Sequence, residues 1–381
     1  MRQAPARHGA RLLGRLLEHV YPKGQAGWVR AMRSEIEQVE QDGAAFRFAL
    51  GCLWGGCRQA LAEQVSSTAK GVATMAIEWG KLRQPRNAGI ACGVAATCLG
   101  ISYLVLAGAP GRYLIVNAVA LLLGIVAATG FAGAVSQHRR FASWAVVAFG
   151  ACLLGTALFG ASADGAARWI RIGPLGVQVS LVLLPFMIVA FARHQGAVGA
   201  AGIAVAAAAL ALQPDRAMSG VLAFSMAVLA IARPGRPVLA SLAAAIAGCA
   251  VAFARPDTNP AVPYVDRILY TAFDVHFLAG AAVVLGSMLL LVPAILGLGG
   301  DPERRHVHLA FGSIWLGCVV AAALGNYPTP VVGYGGSAIL GYLLSLSVLS
   351  NGIRAAAGEP GAAAGDEVNQ RVGLSKRVLA V

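Results

Sequence analysis

Charge is what this chain has least of. Only 12% of its 381 residues are charged, against 57% hydrophobic residues and a mean hydropathy of +0.68, whereas a soluble globular domain carries about 25% charged residues. An ordinary soluble protein is excluded, and the chain is read as an integral membrane protein. It also lacks the short basic, apolar and small-residue block of a secretory leader, because the apolar segments begin only after residue 86. No cleavage is expected. Acidic residues are the scarcer sign, 17 against 30 Lys and Arg, for a net charge of +13. The basic excess lies in the N-terminal region, short loops and tail, where anionic lipid headgroups account for it without a nucleic-acid partner. The seven cysteines (Cys52, Cys57, Cys92, Cys98, Cys152, Cys249 and Cys318) are odd in number and mostly sit in apolar segments, so they are read as small buried hydrophobes. Cys52 and Cys57 have no nearby His or second cysteine pair to complete a zinc site. Carboxylates are too sparse to cage an ion, so no metal or cofactor is expected, apart from a divalent cation bound jointly with a substrate diphosphate.

What is present falls into three parts. Residues 1–86 form an N-terminal, cytosolic region of amphipathic helices: Leu12, Leu13, Leu16, Leu17 and Val20 recur at helical spacing, as do Trp28, Met32, Ile36 and Val39. A third segment, 44–65, contains Arg47, Arg58 and Glu63 and is not read as a span. This region is either a small packing module or a platform for a membrane surface or partner. Residues 87–354 hold segments of bilayer length, near 88–108, 113–134, 142–161, 175–192, 197–212, 217–232, 238–254, 268–297, 309–324 and 337–353. The fold class is therefore all-α, a polytopic transmembrane helical bundle of about ten spans packed through abundant Ala and Gly. Residues 355–381 read as a disordered cytosolic tail. Arg139, Arg140, Arg193, Arg233, Arg236, Arg304 and Arg305 occupy alternate loops, which predicts a multi-pass membrane protein with both termini cytoplasmic.

Four loops on the opposite, outward side carry nearly all the unusual residues. The first, 163–180, contains Arg168, Trp169, Arg171 and Gln178; the arginines can grip a phosphate, and the Trp can equally be an interfacial anchor. In the second, 211–220, Pro214 breaks the helix and leaves backbone groups for Gln213 and Asp215 to satisfy. The third, RPDTNPAVPYVDRILYTAFDVHFLAG over 255–280, places Asp266 eight residues before Asp274. A helix starting at or before Asp266 would turn both carboxylates to one side. Asp266 is then a general base at the mouth of the bundle, or else the partner of Arg255 or Arg267 in a salt bridge. The fourth, 325–342, clusters prolines, glycines and Ser337, irregular backbone that membranes tolerate only against protein or a cavity.

In this order the four loops resemble the SEDS family of RodA/FtsW-like bacterial membrane proteins. RWIRIGPLGVQVS is similar to that family's Arg-Trp-Ile, Gly-Pro, Gln-Pro-Ser-Glu signature, and QPDRAM to its Gln-Pro-Asp-Leu-Gly-Thr. VPYVDRILYTAFDVHFLAG is similar to its Pro-Glu, Thr-Asp-Phe-Ile-Phe, Glu-Glu-Leu-Gly stretch, and NYPTPVVGYGGS to its Leu-Pro-Leu-Pro-Phe, Ser-Tyr-Gly-Gly-Ser-Ser. The resemblance spans about 88–354 and implies a ten-span peptidoglycan glycosyltransferase of cell-envelope synthesis, serving cell shape or division beside a cell-wall synthesis partner protein. It would polymerise a lipid-linked disaccharide outside the membrane. Asp266 would be the catalytic carboxylate and Asp274 the replacement for a family Glu. On electrostatic grounds, and not from the resemblance, Arg168, Arg171 or Arg267 would balance the diphosphate; Trp169, Gln178, Gln213, Asp215, Tyr334, Gly335, Gly336 and Ser337 would line the substrate site. The sequence departs from the pattern at Val179, Ser180 and Leu181, which stand in place of Pro-Ser-Glu, and in the stretch before Asp266, about a dozen residues instead of a long loop. Those departures open an alternative, a non-catalytic scaffold or regulator of cell-wall assembly. A third reading, a proton-coupled transporter, rests on Asp274 and His276.

Overall fold

The computed structural model describes residues 5–21, 26–55, 84–137, 139–163, 166–173, 175–255 and 260–349. The chain divides into two units, Met1–Lys81 and Leu82–Val381. The expected tail at 355–381 lies outside the described residues, as do Arg58 and Glu63.

In the first unit, α1 (Pro5–Val20), α2 (Ala26–Gln38) and α3 (42–55) surround a small core of Ala10, Leu17, Val29, Ile36, Ala45 and Ala49. The Arg7 guanidinium ties the corner together, pairing with Asp42 at 3.0 Å and donating to the Val39 carbonyl at 2.7 Å. Helical spacing located the helices but misassigned part of the buried face. Leu12, Leu16 and Trp28 are exposed, and Val29 is inside in place of Trp28.

The second unit is the bundle. Its elements are α4 (Pro85–Leu106), α5 (Gly111–Gln137) and α6 (Arg139–Phe159), then strands β1 (Ala161–Ala163), β2 (Ala166–Ile172) and β3 (Leu175–Gln178). There follow α7 (Val179–His194), α8 (Ala197–Leu212), α9 (Arg216–Ala232), α10 (Arg236–Ala254), α11 (Ile268–Val275), α12 (Phe277–Leu289), α13 (Val292–Leu298), α14 (Arg305–Leu324) and α15 (Gly336–Leu346). Among the described residues six stretches are long and apolar enough to cross a membrane: Pro85–Leu106, Gly111–Ala132, Arg140–Phe159, Arg236–Ala254, Phe277–Leu298 and Pro302–Leu324. The helices α7, α8, α9 and α15 are apolar but shorter. At 1.5 Å per residue the 16 residues of α7 reach about 24 Å, short of a hydrocarbon core of about 30 Å.

That shortness has a local cause. The expected span from 175 starts four residues late because Leu175–Gln178 pairs with β2 instead, in the register Trp169↔Gln178 to Ile172↔Leu175. Gly173, at φ +60°, makes the tight turn. A small antiparallel sheet, β1-β2-β3, thus caps one end of an otherwise helical bundle. The expected span 268–297 is also broken, first at His276, whose extended backbone ends α11 and whose Nδ1 accepts from the Leu278 N–H at 3.1 Å to cap α12. It breaks again at Leu290 and Leu291 before α13.

The core runs through α7, α14 and α15, where Phe186, Phe191, Phe311, Trp315 and Tyr342 are fully enclosed. Trp315 and Phe311 meet the Tyr342 ring edge to face at 5.1 and 5.7 Å. Against this centre α8 packs on α6 and α10, α9 on α10 and α14, α15 on α5 and α7, and α12 on α4 and α11.

Candidate functional site

Because α7, α9 and α15 begin, and α14 ends, at the same end of the bundle, the four unusual loops gather there. The first is joined to the second by a buried polar network. Asp215 is fully enclosed and caps α9, its Oδ1 accepting from the Met218 N–H at 3.1 Å. Its Oδ2 accepts from Ser180 Oγ at 3.0 Å and from Gln178 Nε2 at 3.3 Å. Arg168, also buried, donates to the Gln213 carbonyl at 3.5 Å and to the Pro214 carbonyl, and the Gln213 amide reaches the Leu153 carbonyl at 2.9 Å. Pro214 had broken the helix, and these side chains satisfy the freed backbone. Ser180, one of the three residues standing in place of Pro-Ser-Glu, is a member of this network.

The first loop also touches the fourth, since the Gln178 N–H donates to Ser337 Oγ at 3.0 Å. The third and fourth are stitched along their backbones. Asp266 forms a β-bridge with Pro328, the Thr329 N–H donates to the Val265 carbonyl at 3.0 Å, and the Tyr334 N–H donates to the Tyr264 carbonyl at 2.7 Å. Asn117, buried in α5, clamps the fourth loop by donating to the Gly333 carbonyl at 2.9 Å and accepting from the Gly335 N–H at 3.2 Å. The ring of Tyr113 stacks on Tyr334 at 3.6 Å and meets Tyr264 edge to face at 6.1 Å, with the Arg112 guanidinium 5.4 Å above it. Tyr264, Arg267 and Val331 all adopt positive φ without being glycine. Such strain collects where surrounding structure over-determines the backbone, as at ligand sites.

Asp266 sits at the centre of this stitching and is 8% exposed. Its Oδ2 accepts from the Val262 N–H at 2.8 Å, and neither Arg255 nor Arg267 forms the salt bridge weighed from sequence. Arg255 instead donates to the carbonyls of Ala211 and Leu212. Burial raises the Asp266 carboxyl above its ordinary 3.8, and the Val262 N–H only partly opposes this. Tyr334 is likewise pushed up, first by burial and then by Tyr113, against the pull of Arg112.

Other sequence-predicted residues stand apart from this cluster. The helix α11 starts at Ile268, beyond Asp266, so the two carboxylates are not on one helical face, and Asp274 is exposed. Arg171 and Arg267 are exposed, while Trp169 is half-buried across the hairpin from Gln178. Gly336 opens α15 beside Ala120. Sequence reasoning missed Asn117, Tyr113, Arg112 and Tyr264. A lone Asn within an apolar span is the signal that would have found the first. Among the described residues no three His, Cys, Asp or Glu side chains come together as a ligand set for a metal.

No protein-family model matches the chain, and no curated protein matches it by sequence. By structure it is similar to the crystal structure of the rod shape determining protein RodA from Thermus thermophilus, at TM-score 0.50 and 23% identity over 68% of this chain and 94% of that one. An aspartate-to-alanine mutant of the same RodA is similar at TM-score 0.49 and 22% identity, over 68% of this chain and 95% of that one. The wild-type likeness establishes the fold. The chain is a multi-pass helical bundle, SEDS-like in architecture and divergent in sequence.

Proposed function

We propose that this RodA-like bundle is a bacterial inner-membrane protein of cell-envelope synthesis that extends a sugar polymer from a lipid-linked disaccharide, with Asp266 as the general base. The observation that carries the reading is Asp266 itself, an enclosed carboxylate held by one backbone N–H, without a cation partner among the described residues and with a raised pKa. Such a group accepts protons nearer neutrality than an exposed Asp does. In the reaction the Asp266 carboxylate takes the proton of the acceptor hydroxyl as its oxygen bonds to the donor's anomeric carbon. The bond from that carbon to the diphosphate breaks, and the diphosphate leaves with the electron pair. Arg171 and Arg267 are exposed and available to balance it, alone or with a divalent cation, whereas Arg168 is committed to backbone carbonyls. In this reading both termini are cytoplasmic, the Asp266 end faces outward, and a cell-wall synthesis partner protein works alongside.

The test is polymerisation of a lipid-linked disaccharide by purified protein. Asp266→Asn is expected to slow it by about 10²-fold or more while leaving the folded yield unchanged. A second reading, a scaffold that has given up catalysis, is favoured by the exposed position of Asp274 and the short stretch before Asp266. It predicts inert wild-type protein, together with Asp266→Ala that fully complements a deletion strain.

A further inference from the structure

A second cluster lies at the other end of the same helices. The helices α7 and α9 end there at Arg193 and Arg233, and α14 begins there with Arg304, His306 and His308 around it. Together with Glu303 these groups line a cavity of about 250 Å³, roughly eight times the volume of a water molecule in the liquid. The guanidinium groups of Arg193, Arg233 and Arg304 therefore share this cavity with a single lining acid, Glu303. Arg304 is paired with Asp301 at 3.3 Å. Arg193 and Arg233 have no carboxylate within 4 Å among the described residues. Their hydrogen bonds are spent only in part, since Arg193 donates to the Val348 carbonyl at 2.9 Å and Arg233 reaches His306 Nε2 at 3.3 Å. A guanidinium has five N–H donors and no acceptor, so His306 Nε2 must be the acceptor, with its proton on Nδ1. That tautomer leaves the imidazole neutral and spares Arg233 a second cation. His308 is 6% exposed, and its Nδ1 has no hydrogen-bond partner among the described residues.

Like charges brought together around a cavity repel unless a counter-charge joins them. We propose that this cavity binds a phosphate-class anion at the membrane face opposite Asp266, gripped by Arg193 and Arg233. The planar forks of two arginines match phosphate oxygens, and the site is large enough for one such group with water around it. The source is either the headgroup of an anionic lipid or free phosphate. The bundle would then carry an anion site at each end, one for a departing diphosphate and one unconnected with the chemistry at Asp266.

The test uses full-length protein. In neutral detergent, melting is followed with inorganic phosphate and with chloride at matched ionic strength. In nanodiscs, phosphatidylglycerol is compared with phosphatidylcholine. A ligand present well above its Kd is expected to raise the melting temperature by a few degrees. That gain should disappear in Arg193→Gln/Arg233→Gln and persist in Arg236→Gln, an exposed arginine at the same end. A response to phosphate in detergent identifies a free-phosphate site, and a response to phosphatidylglycerol alone identifies a headgroup site. No response in either arm, or equal responses in the double variant and Arg236→Gln, overturns the proposal. Should the double variant fail to fold, Arg233→Gln alone is read instead, because Arg233 is exposed and its side chain is bonded to His306, while its backbone caps the end of α9.

Discussion

Enclosing a carboxylate favours its protonated form, and at Asp266 that has two measurable consequences. Its folded pKa is raised above the unfolded value, so its contribution to stability is complete at low pH and lost as pH rises through the folded pKa. Asp266→Asn should therefore melt no earlier than wild type at neutral pH, while slowing polymerisation by about 10²-fold or more. On the same logic the acid limb of the rate profile should lie above 3.8, the ordinary value for Asp. A profile flat down to that value would remove Asp266 from the mechanism. Asn117 offers a contrasting case, because its two hydrogen bonds fix the Gly333–Gly335 backbone from a helix that carries no other part of the fourth loop. Asn117→Ala should cost about 1–3 kcal/mol, read as a lower melting temperature, and should reduce activity with Asp266 intact. Asp266 was legible in the sequence because a carboxylate beside a long apolar run is costly and therefore conspicuous. Asn117 was hidden by being read as part of a span, and the aromatic trio of Tyr113, Tyr264 and Tyr334 by spacings of well over a hundred residues between Tyr113 and the other two.

At the scale of elements, small residues decide how near the helices come. A Cβ at Gly341 of α15 would lie 2.0 Å from the Leu181 carbonyl oxygen of α7, contact with backbone that no rotamer can relieve. Gly341→Ala is expected to sharply reduce the yield of folded protein by size-exclusion chromatography, whereas Gly220→Ala on α9, which meets nothing within 4 Å, should express normally. The ten apolar stretches could be read from hydropathy, and each contains helix. The β2–β3 hairpin could not, because Leu175, Gly176 and Val177 are as apolar as the start of a span. Only the pairing with β2 reveals them as strand. The break at His276 escaped notice for a related reason. Its cause is a side chain capping the next helix, which neither proline nor glycine announces. That capping role also gives His276 a structural duty apart from any proton path with Asp274.

Across the whole molecule the two units keep separate cores, one built on Leu17 and Ile36, the other on Phe186, Phe311, Trp315 and Tyr342. Deleting residues 1–81 should therefore leave the melting temperature and helical signal of the remaining bundle unchanged within error, by circular dichroism in detergent. A large loss would show that the units depend on one another. Composition alone made this a membrane protein, since 12% charge cannot clothe a soluble surface, and the recurring apolar segments of about bilayer length gave its helical class. The order of motifs was also enough to nominate the four loops. What residue order could not decide was which polar groups are spent on structure and which are left for chemistry. Arg168, Gln213 and Asp215 are held in hydrogen bonds around a broken backbone, Asp274 lies exposed, and Asp266 is an enclosed carboxylate with no cation partner among the described residues. Hydrogen bonding and burial are properties of neighbours in space, and those neighbours come from loops that the chain brings together only on folding.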